Sequence, residues 1–141
     1  MREGVGAAPI DLAVVTGADP ELAWRTITDP GRVSLWLTEV SPLGAVGDPY
    51  RLAFGEGSLV TGRVEALVPG RSFSHTWCWE AAEPGEVTRV TWTVEAHLGG
   101  SIIRLVHDGW DEAGIDPAVR DDHEGYWTGY LDDLRDVLDE A

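Results

Sequence analysis

The chain has 141 residues, 43% of them hydrophobic and 25% charged, enough for one domain with its own apolar core and too few for two of ordinary size. Its 25 acidic residues outnumber 10 basic ones for a formal charge of −15, so its surface repels phosphate backbones and argues against nucleic acid and anionic membranes as partners. Cys78 is the only cysteine, which excludes an internal disulfide and a cysteine-rich zinc site and fits a reducing compartment.

The opening segment, Met1 to Pro9, has no apolar run of signal-peptide length, and no later stretch approaches the ~20 apolar residues of a membrane span. A soluble, cytoplasmic protein is expected. Every basic residue is Arg, and with abundant Ala, Gly, Asp and Val the composition points to a GC-rich bacterial genome. Ile10 to Thr16 is rich in β-branched residues and reads as a first strand ending at Gly17. Asp19 before Pro20 and Asp29 before Pro30 each set an N-cap acceptor ahead of a proline at the first helical position, where the missing N–H is not needed. They predict short helices over Pro20–Thr28 and Pro30–Leu37.

From Glu39 to Asp108 strands alternate with turn residues, over Glu39–Leu43, Tyr50–Phe54, Ser58–Val68, Arg71–Trp79, Thr88–His97 and Ser101–His107. Pro69-Gly70, the run from Glu83 through Pro84 and Gly85 to Glu86, and Gly99-Gly100 are connections short enough for hairpins, so a meandering antiparallel sheet follows.

Period-two alternation assigns the faces. Phe73, His75, Trp77 and Trp79 are large and point inward, opposite Ser72, Ser74, Thr76 and Cys78. Val90, Trp92, Val94 and Ala96 oppose Arg89, Thr91, Thr93 and Glu95, while Ile103, Leu105 and His107 share a side. Ile102 and Val106 break that last alternation, so both faces there are expected to be partly covered. Val60, Gly62, Val64 and Ala66 alternate with Thr61, Arg63 and Glu65. In this register Trp77, Trp92, Leu105, Leu131 and Leu134 are buried, and Ser74, Thr76, Thr91 and Thr93 face solvent.

After Trp110 the period changes. Asp116 and Pro117 form a third cap, and Val119, Tyr126, Trp127, Tyr130, Leu131, Leu134, Val137 and Leu138 recur at helical spacing to the C-terminus. This predicts one long amphipathic helix, with its nine acids and two arginines mainly on the solvated side.

Among candidate chemical groups, His75 and His107 point inward by parity, where an imidazole acts as acid, base or ligand-orienting group, or sits in the core satisfied by its neighbours. His97 and His123 are the other two histidines. No metal-ligand spacing occurs, and Gly55 to Ser58 reads as a turn with no strand-to-helix context for a nucleophile elbow. His107 and Asp108 are adjacent, so in a strand they face opposite sides and cannot pair. No metal or cofactor is expected. Trp77, Trp79, Trp92 and Trp127 bring aromatic surface to the space between sheet and helix, either as filled core or as the wall of a pocket.

The order of a strand, two short helices, antiparallel strands and a long last helix resembles the START-like, or SRPBCC, superfamily. The run from Ala23 through Trp24, Arg25, Thr26, Ile27 and Thr28 to Asp29 and Pro30 resembles bacterial proteins similar to the C-terminal domain of Aha-type activators of the heat-shock chaperone ATPase. Gly62-Arg63-Val64, His75-Thr76-Trp77, Thr91-Trp92, Arg104-Leu105, the run from His107 to Trp110, and Gly125-Tyr126-Trp127 carry the same resemblance, from about Ile10 to Glu140. Gly100-Ser101 stands where that family usually has Gly-Thr. The resemblance implies an α+β helix-grip fold, a single domain over residues 1–141 with a curved antiparallel sheet around the C-terminal helix. It also implies room near the N-terminal half of that helix, with Trp36, Phe54, His75, Trp77, Trp92, Leu105, His107, Trp110, His123, Trp127 and Tyr130 as pocket candidates, Trp36 and Trp110 at its mouth.

The leading functional reading is a non-catalytic domain that binds an apolar small molecule. The alternatives are a cyclase- or dehydratase-like enzyme using His75 or His107, and a chaperone- or protein-interaction module whose partner is another protein or a second copy.

Overall fold

The computed structural model describes residues 8–55, 58–82 and 85–140. Met1 to Ala7, Glu56, Gly57, Glu83 and Pro84, the last four read above as turn residues, lie outside the described residues. The elements in chain order are β1 Ile10–Thr16, α1 Pro20–Thr28, α2 Pro30–Val33, β2 Glu39–Val40, β3 Pro49–Ala53, β4 Leu59–Val68, β5 Ser72–Trp79, β6 Thr88–His97, β7 Gly100–Asp108 and α3 Pro117–Asp139. One antiparallel sheet in the order β1-β7-β6-β5-β4-β3-β2 curls into a half-barrel around α3.

The caps work as their chemistry demands. Asp19 accepts from the Leu22 N–H at 2.8 Å, Asp29 from Gly31 at 3.2 Å and Asp116 from Ala118 at 2.9 Å, each satisfying a donor that the first helical turn leaves without a partner. The second helix is shorter than its pattern implied: past Val33 the chain continues as hydrogen-bonded turns, with Leu37 N donating to Val33 O at 2.8 Å. The strand expected over Glu39–Leu43 is regular only at Glu39 and Val40, with one further bond from Ser41 N to Arg51 O at 3.0 Å, and it ends there because Pro42 has no N–H to give to a ladder.

Most of the expected register stands. Trp77, Trp92, Leu105, Leu131 and Leu134 are buried, and Thr76, Thr91 and Thr93 are half-buried on the other face. Ile102 and Val106 are half-buried as well.

Four expectations fail: Ala96, grouped with Val90, Trp92 and Val94, is exposed near the end of β6, and the other three fail for local reasons. Ser74 is only 7% exposed, since its short side chain sits in a central strand between the paired Ala66 and Thr91. Ala66 does not share the face of Val60 and Val64: the pairing steps from Val64 with His75 to Ala66 with Ser74, a bulge that turns Ala66 outward and sets Leu67 against the core. On α3, Tyr126 is 63% exposed and Val119 41%, leaving His123, Trp127, Leu131, Leu134 and Leu138 as the buried stripe.

Two glycines are required by close approach. A Cβ on Gly62 would lie 1.9 Å from the Thr76 carbonyl oxygen, and one on Gly100 would lie 2.1 Å from that of Thr16. The first lets β4 close onto β5, and the second lets the β6–β7 hairpin meet the end of β1. Thr16 also donates to Asp139 at 2.8 Å, tying β1 to the last turn of α3.

Cys78 is unpaired and half-buried, its thiol 3.6 Å from the Trp79 carbonyl, on the face of β5 opposite Trp77. Cys78→Ser is expected to change stability by no more than about 0.5 kcal/mol, read as the urea midpoint. A loss above about 1 kcal/mol would show that the thiol packs as a core group.

Candidate functional site

β5 projects Trp77 and Trp79 on one face, and α3 answers with His123, Trp127 and Tyr130, at spacings of four and three that keep them on one helix side. Phe54, just after β3, and Ser58, just before β4, close the end of the space. The result is a cleft of about 240 Å³ lined by Phe54, Ser58, Trp77, Trp79, His123, Tyr126, Trp127 and Tyr130. Its rings meet edge-on or tilted: Trp77 and Trp127 centroids are 5.4 Å apart, Trp77 and Trp79 5.7 Å, Phe54 and Trp79 5.5 Å, and Phe54 and Tyr130 6.0 Å. Large rigid rings in such contacts gain edge-to-face attraction but leave gaps that flexible side chains would fill.

A second cleft, of about 170 Å³, shares Trp77, Trp79 and His123 with the first and is otherwise lined by Ala82, Glu86, Thr88, Trp110, Ile115, Asp116 and Val119.

The histidines are fixed by their neighbours. An indole N–H only donates, so the nitrogen it meets carries no proton. Trp79 Nε1 donates to His123 Nε2 at 2.9 Å, and His123 Nδ1 donates to the Val119 carbonyl at 2.8 Å. Trp127 Nε1 donates to His107 Nδ1 at 3.0 Å, leaving His107 Nε2 to donate to the Thr88 hydroxyl at 2.7 Å. Both rings are neutral, each in one tautomer. His75 Nδ1 donates to the Thr76 carbonyl at 2.9 Å.

Burial lowers all three pKa values. His75 is brought down to about 4 by burial, which outweighs its bond to Thr76 and the attraction of Glu65. His107 lies well below the ordinary value, through burial first and then repulsion from His123 and His75. His123 is lowered by burial, against its bond to Val119 and the charge of Asp122.

Trp77 differs from three of the other buried indoles. Trp36, Trp110 and Trp127 donate to the Thr26 carbonyl, the His107 carbonyl and His107 Nδ1, whereas Trp77, 4% exposed, has an Nε1 with no partner among the described residues. Leaving such a donor unsatisfied costs ~1–3 kcal/mol.

Of the residues singled out from sequence, Phe54, Trp77, His123, Trp127 and Tyr130 line the first cleft and Trp110 the second. Trp36, His75, Trp92, Leu105 and His107 line neither. They are buried, with Trp36 edge-on to Trp92 at 5.7 Å and His75 tilted on Tyr50 at 4.6 Å. Ser58, Trp79 and Tyr126 line the first cleft without having been chosen, although Trp79 shares the strand parity of Trp77. Among the described residues no group of three His, Cys, Asp or Glu side chains is placed to hold a metal ion, and no helix is long and apolar enough to cross a membrane.

The family model described as Activator of Hsp90 ATPase homolog 1-like protein matches residues 17–139. Among solved structures the chain is similar to protein MLL2253 from Mesorhizobium loti, with TM-score 0.84 and 21% identity over 95% of this chain and 98% of that one. It is similar to the Aha1 dimer from Colwellia psychrerythraea, with TM-score 0.77 and 22% identity over 94% and 96%. DynU16, a protein of the dynemicin biosynthetic locus, aligns with TM-score 0.76 and 19% identity over 92% of this chain and 46% of its own. At these identities the likeness is one of fold. No curated protein matches the sequence.

Proposed function

We propose that this chain, which belongs to the Activator of Hsp90 ATPase homolog 1-like family and has the helix-grip fold of the START-like superfamily, binds an apolar small molecule in its first cleft and catalyses no reaction on it. The observation that carries this reading is the cleft wall: Phe54, Trp77, Trp79, Tyr126, Trp127 and Tyr130 supply rings, and among the described residues no carboxylate or guanidinium lines the space. Such a surface gains from covering by a flat or aliphatic ligand, with the Ser58 and tyrosine hydroxyls left to orient it. The occurrence of DynU16 in a biosynthetic locus is in keeping with a domain that handles small organic molecules.

The cyclase- or dehydratase-like alternative is weakened by the histidines themselves. His107 has both ring nitrogens committed to Trp127 and Thr88, and His75 lines neither cleft. Neither imidazole is placed to exchange a proton with a molecule in the cleft. A protein-interaction role keeps one observation in its favour, the likeness to the Aha1 dimer. Light scattering at rising protein concentration separates that role from ligand binding.

Fatty acids, aromatic polyketides and sterols titrated into the protein test the binding reading. A ligand of the cleft perturbs tryptophan emission and raises Tm together, since preferential binding to the folded state is worth about 2.7 kcal/mol at 100 times Kd. Tyr130→Phe is expected to weaken such a ligand several-fold with Tm of the unliganded protein nearly unchanged, because only one hydroxyl is lost. If no member of the panel moves either signal, the binding reading falls and the interaction role leads.

A further inference from the structure

Three side chains, Trp77, Trp79 and His123, belong to both clefts and form the wall between them. One side chain–side chain hydrogen bond, Trp79 Nε1 to His123 Nε2 at 2.9 Å, ties two of them. At about 240 and 170 Å³ each cleft alone falls short of the ~300 Å³ at which small-molecule sites begin. Joined, they pass it.

The third member of the wall is Trp77, whose buried Nε1–H has no acceptor among the described residues. Natural interiors rarely keep a donor in that condition unless something else supplies the acceptor. The polar groups around it do not: the His123 nitrogens are taken by Trp79 and Val119, and the Thr88 hydroxyl stands between His107 and the Trp77 carbonyl. Charge narrows the choice further. Asp116 lines the second cleft and, among the described residues, no arginine lines either one, so a carboxylate or phosphate finds no counter-charge from them.

The geometry points to an elongated, non-acidic apolar ligand with a hydrogen-bond acceptor oxygen near its middle, which parts Trp79 from His123, spans both clefts and accepts from Trp77 Nε1. This rests on the first cleft being a binding site, as proposed above. The indole–imidazole bond is a latch: neutral at both ends, it is given up in exchange for a bond that the closed wall lacks, so opening is tied to a ligand that carries the acceptor.

Three neutral probes test it. 2-Acetonaphthone is short, 4-phenylbenzophenone is long with a central carbonyl, and 4-benzylbiphenyl has nearly the same shape with that carbonyl replaced by methylene. Their Kd values are measured by tryptophan quenching, and the indole N–H, methyl and aromatic signals of isotope-labelled protein report where each one sits. 4-Phenylbenzophenone is expected to bind at least ten-fold tighter than 4-benzylbiphenyl. It should shift the indole signals of both Trp77 and Trp79, and move Ile115 and Val119 methyl signals in the second cleft together with Phe54 and Tyr130 in the first. In Trp79→Phe, where the latch cannot form, its affinity is expected to rise three-fold or more.

Equal affinity for the ketone and the hydrocarbon, or shifts confined to the first cleft, would overturn the inference while leaving that cleft a binding site, because 2-acetonaphthone binding would still register there. If none of the three probes binds, the binding reading and this inference fall together.

Discussion

Between pH 7 and pH 5 the protein is expected to lose roughly 2 kcal/mol of stability through His75 alone, with His107 adding to the loss in the same direction. Both imidazoles are held neutral in the core, His75 with its pKa near 4 and His107 well below its ordinary value, against about 6.5 in the unfolded chain. Because the folded pKa values are depressed, the unfolded chain takes up the proton first as the pH falls. The stability is fully present above about pH 6.5 and drains through the window down to about 4, where His75 itself becomes protonated in the folded state. His123 is shifted in the same direction by burial and adds to the slope. Urea unfolding at pH 7, 6 and 5 measures the effect. Equal stabilities at the two ends, or an NMR titration of His75 centred near 6.5, would show that the core accepts a charged imidazole.

Trp92→Ala is expected to cost about 3–5 kcal/mol, a large part of the ~5–15 kcal/mol that holds a domain together. Trp92 is 3% exposed, meets Trp36 edge-on at 5.7 Å and Trp127 at 5.8 Å, and pairs across the sheet with Phe73 and Leu105. Truncation leaves a cavity at the centre of the sheet that rigid indoles cannot collapse to fill. The same variant loosens Trp127 and with it the donor that fixes the His107 tautomer. Urea unfolding at pH 7 gives the number, and a cost under about 1 kcal/mol would mean that neighbouring rings repack into the space.

The fold was legible wherever a local rule acts on consecutive residues. Asp-Pro caps place the starts of all three helices, and alternation of large with small residues identifies the inner face of β5 and most of that of β6. The bulge in β4 left no such mark, since Glu65 and Ala66 continue the alternation and only the pairing with Ser74 shows that the face has turned. Tyr126 was misplaced because helical spacing counts apolar bodies without knowing how wide the buried stripe is. The site was less legible for a different reason. Strand parity says that Trp77 and Trp79 share a face, but whether indole rings close a space or frame one depends on ring orientations set by residues far apart in sequence, such as Trp79 and His123. His107 illustrates this: its inward direction followed from parity, while its enclosure by Trp127 and Thr88 depends on elements that meet only in the folded chain.

The pairing of β1 with β7 joins Ile10 to His107 and Thr16 to Ser101, so that strand finds its place only after the chain has closed a loop of most of the domain. Closing such a loop costs entropy before any ladder bond repays it, and folds dominated by distant pairings reach their native state in milliseconds to seconds rather than microseconds. Until β1 docks, β7 offers an open edge whose outer face carries Ile102 and Val106, a surface to which a second unfolded chain can add. Refolding yield should therefore fall as protein concentration rises, even under conditions where the finished domain is stable.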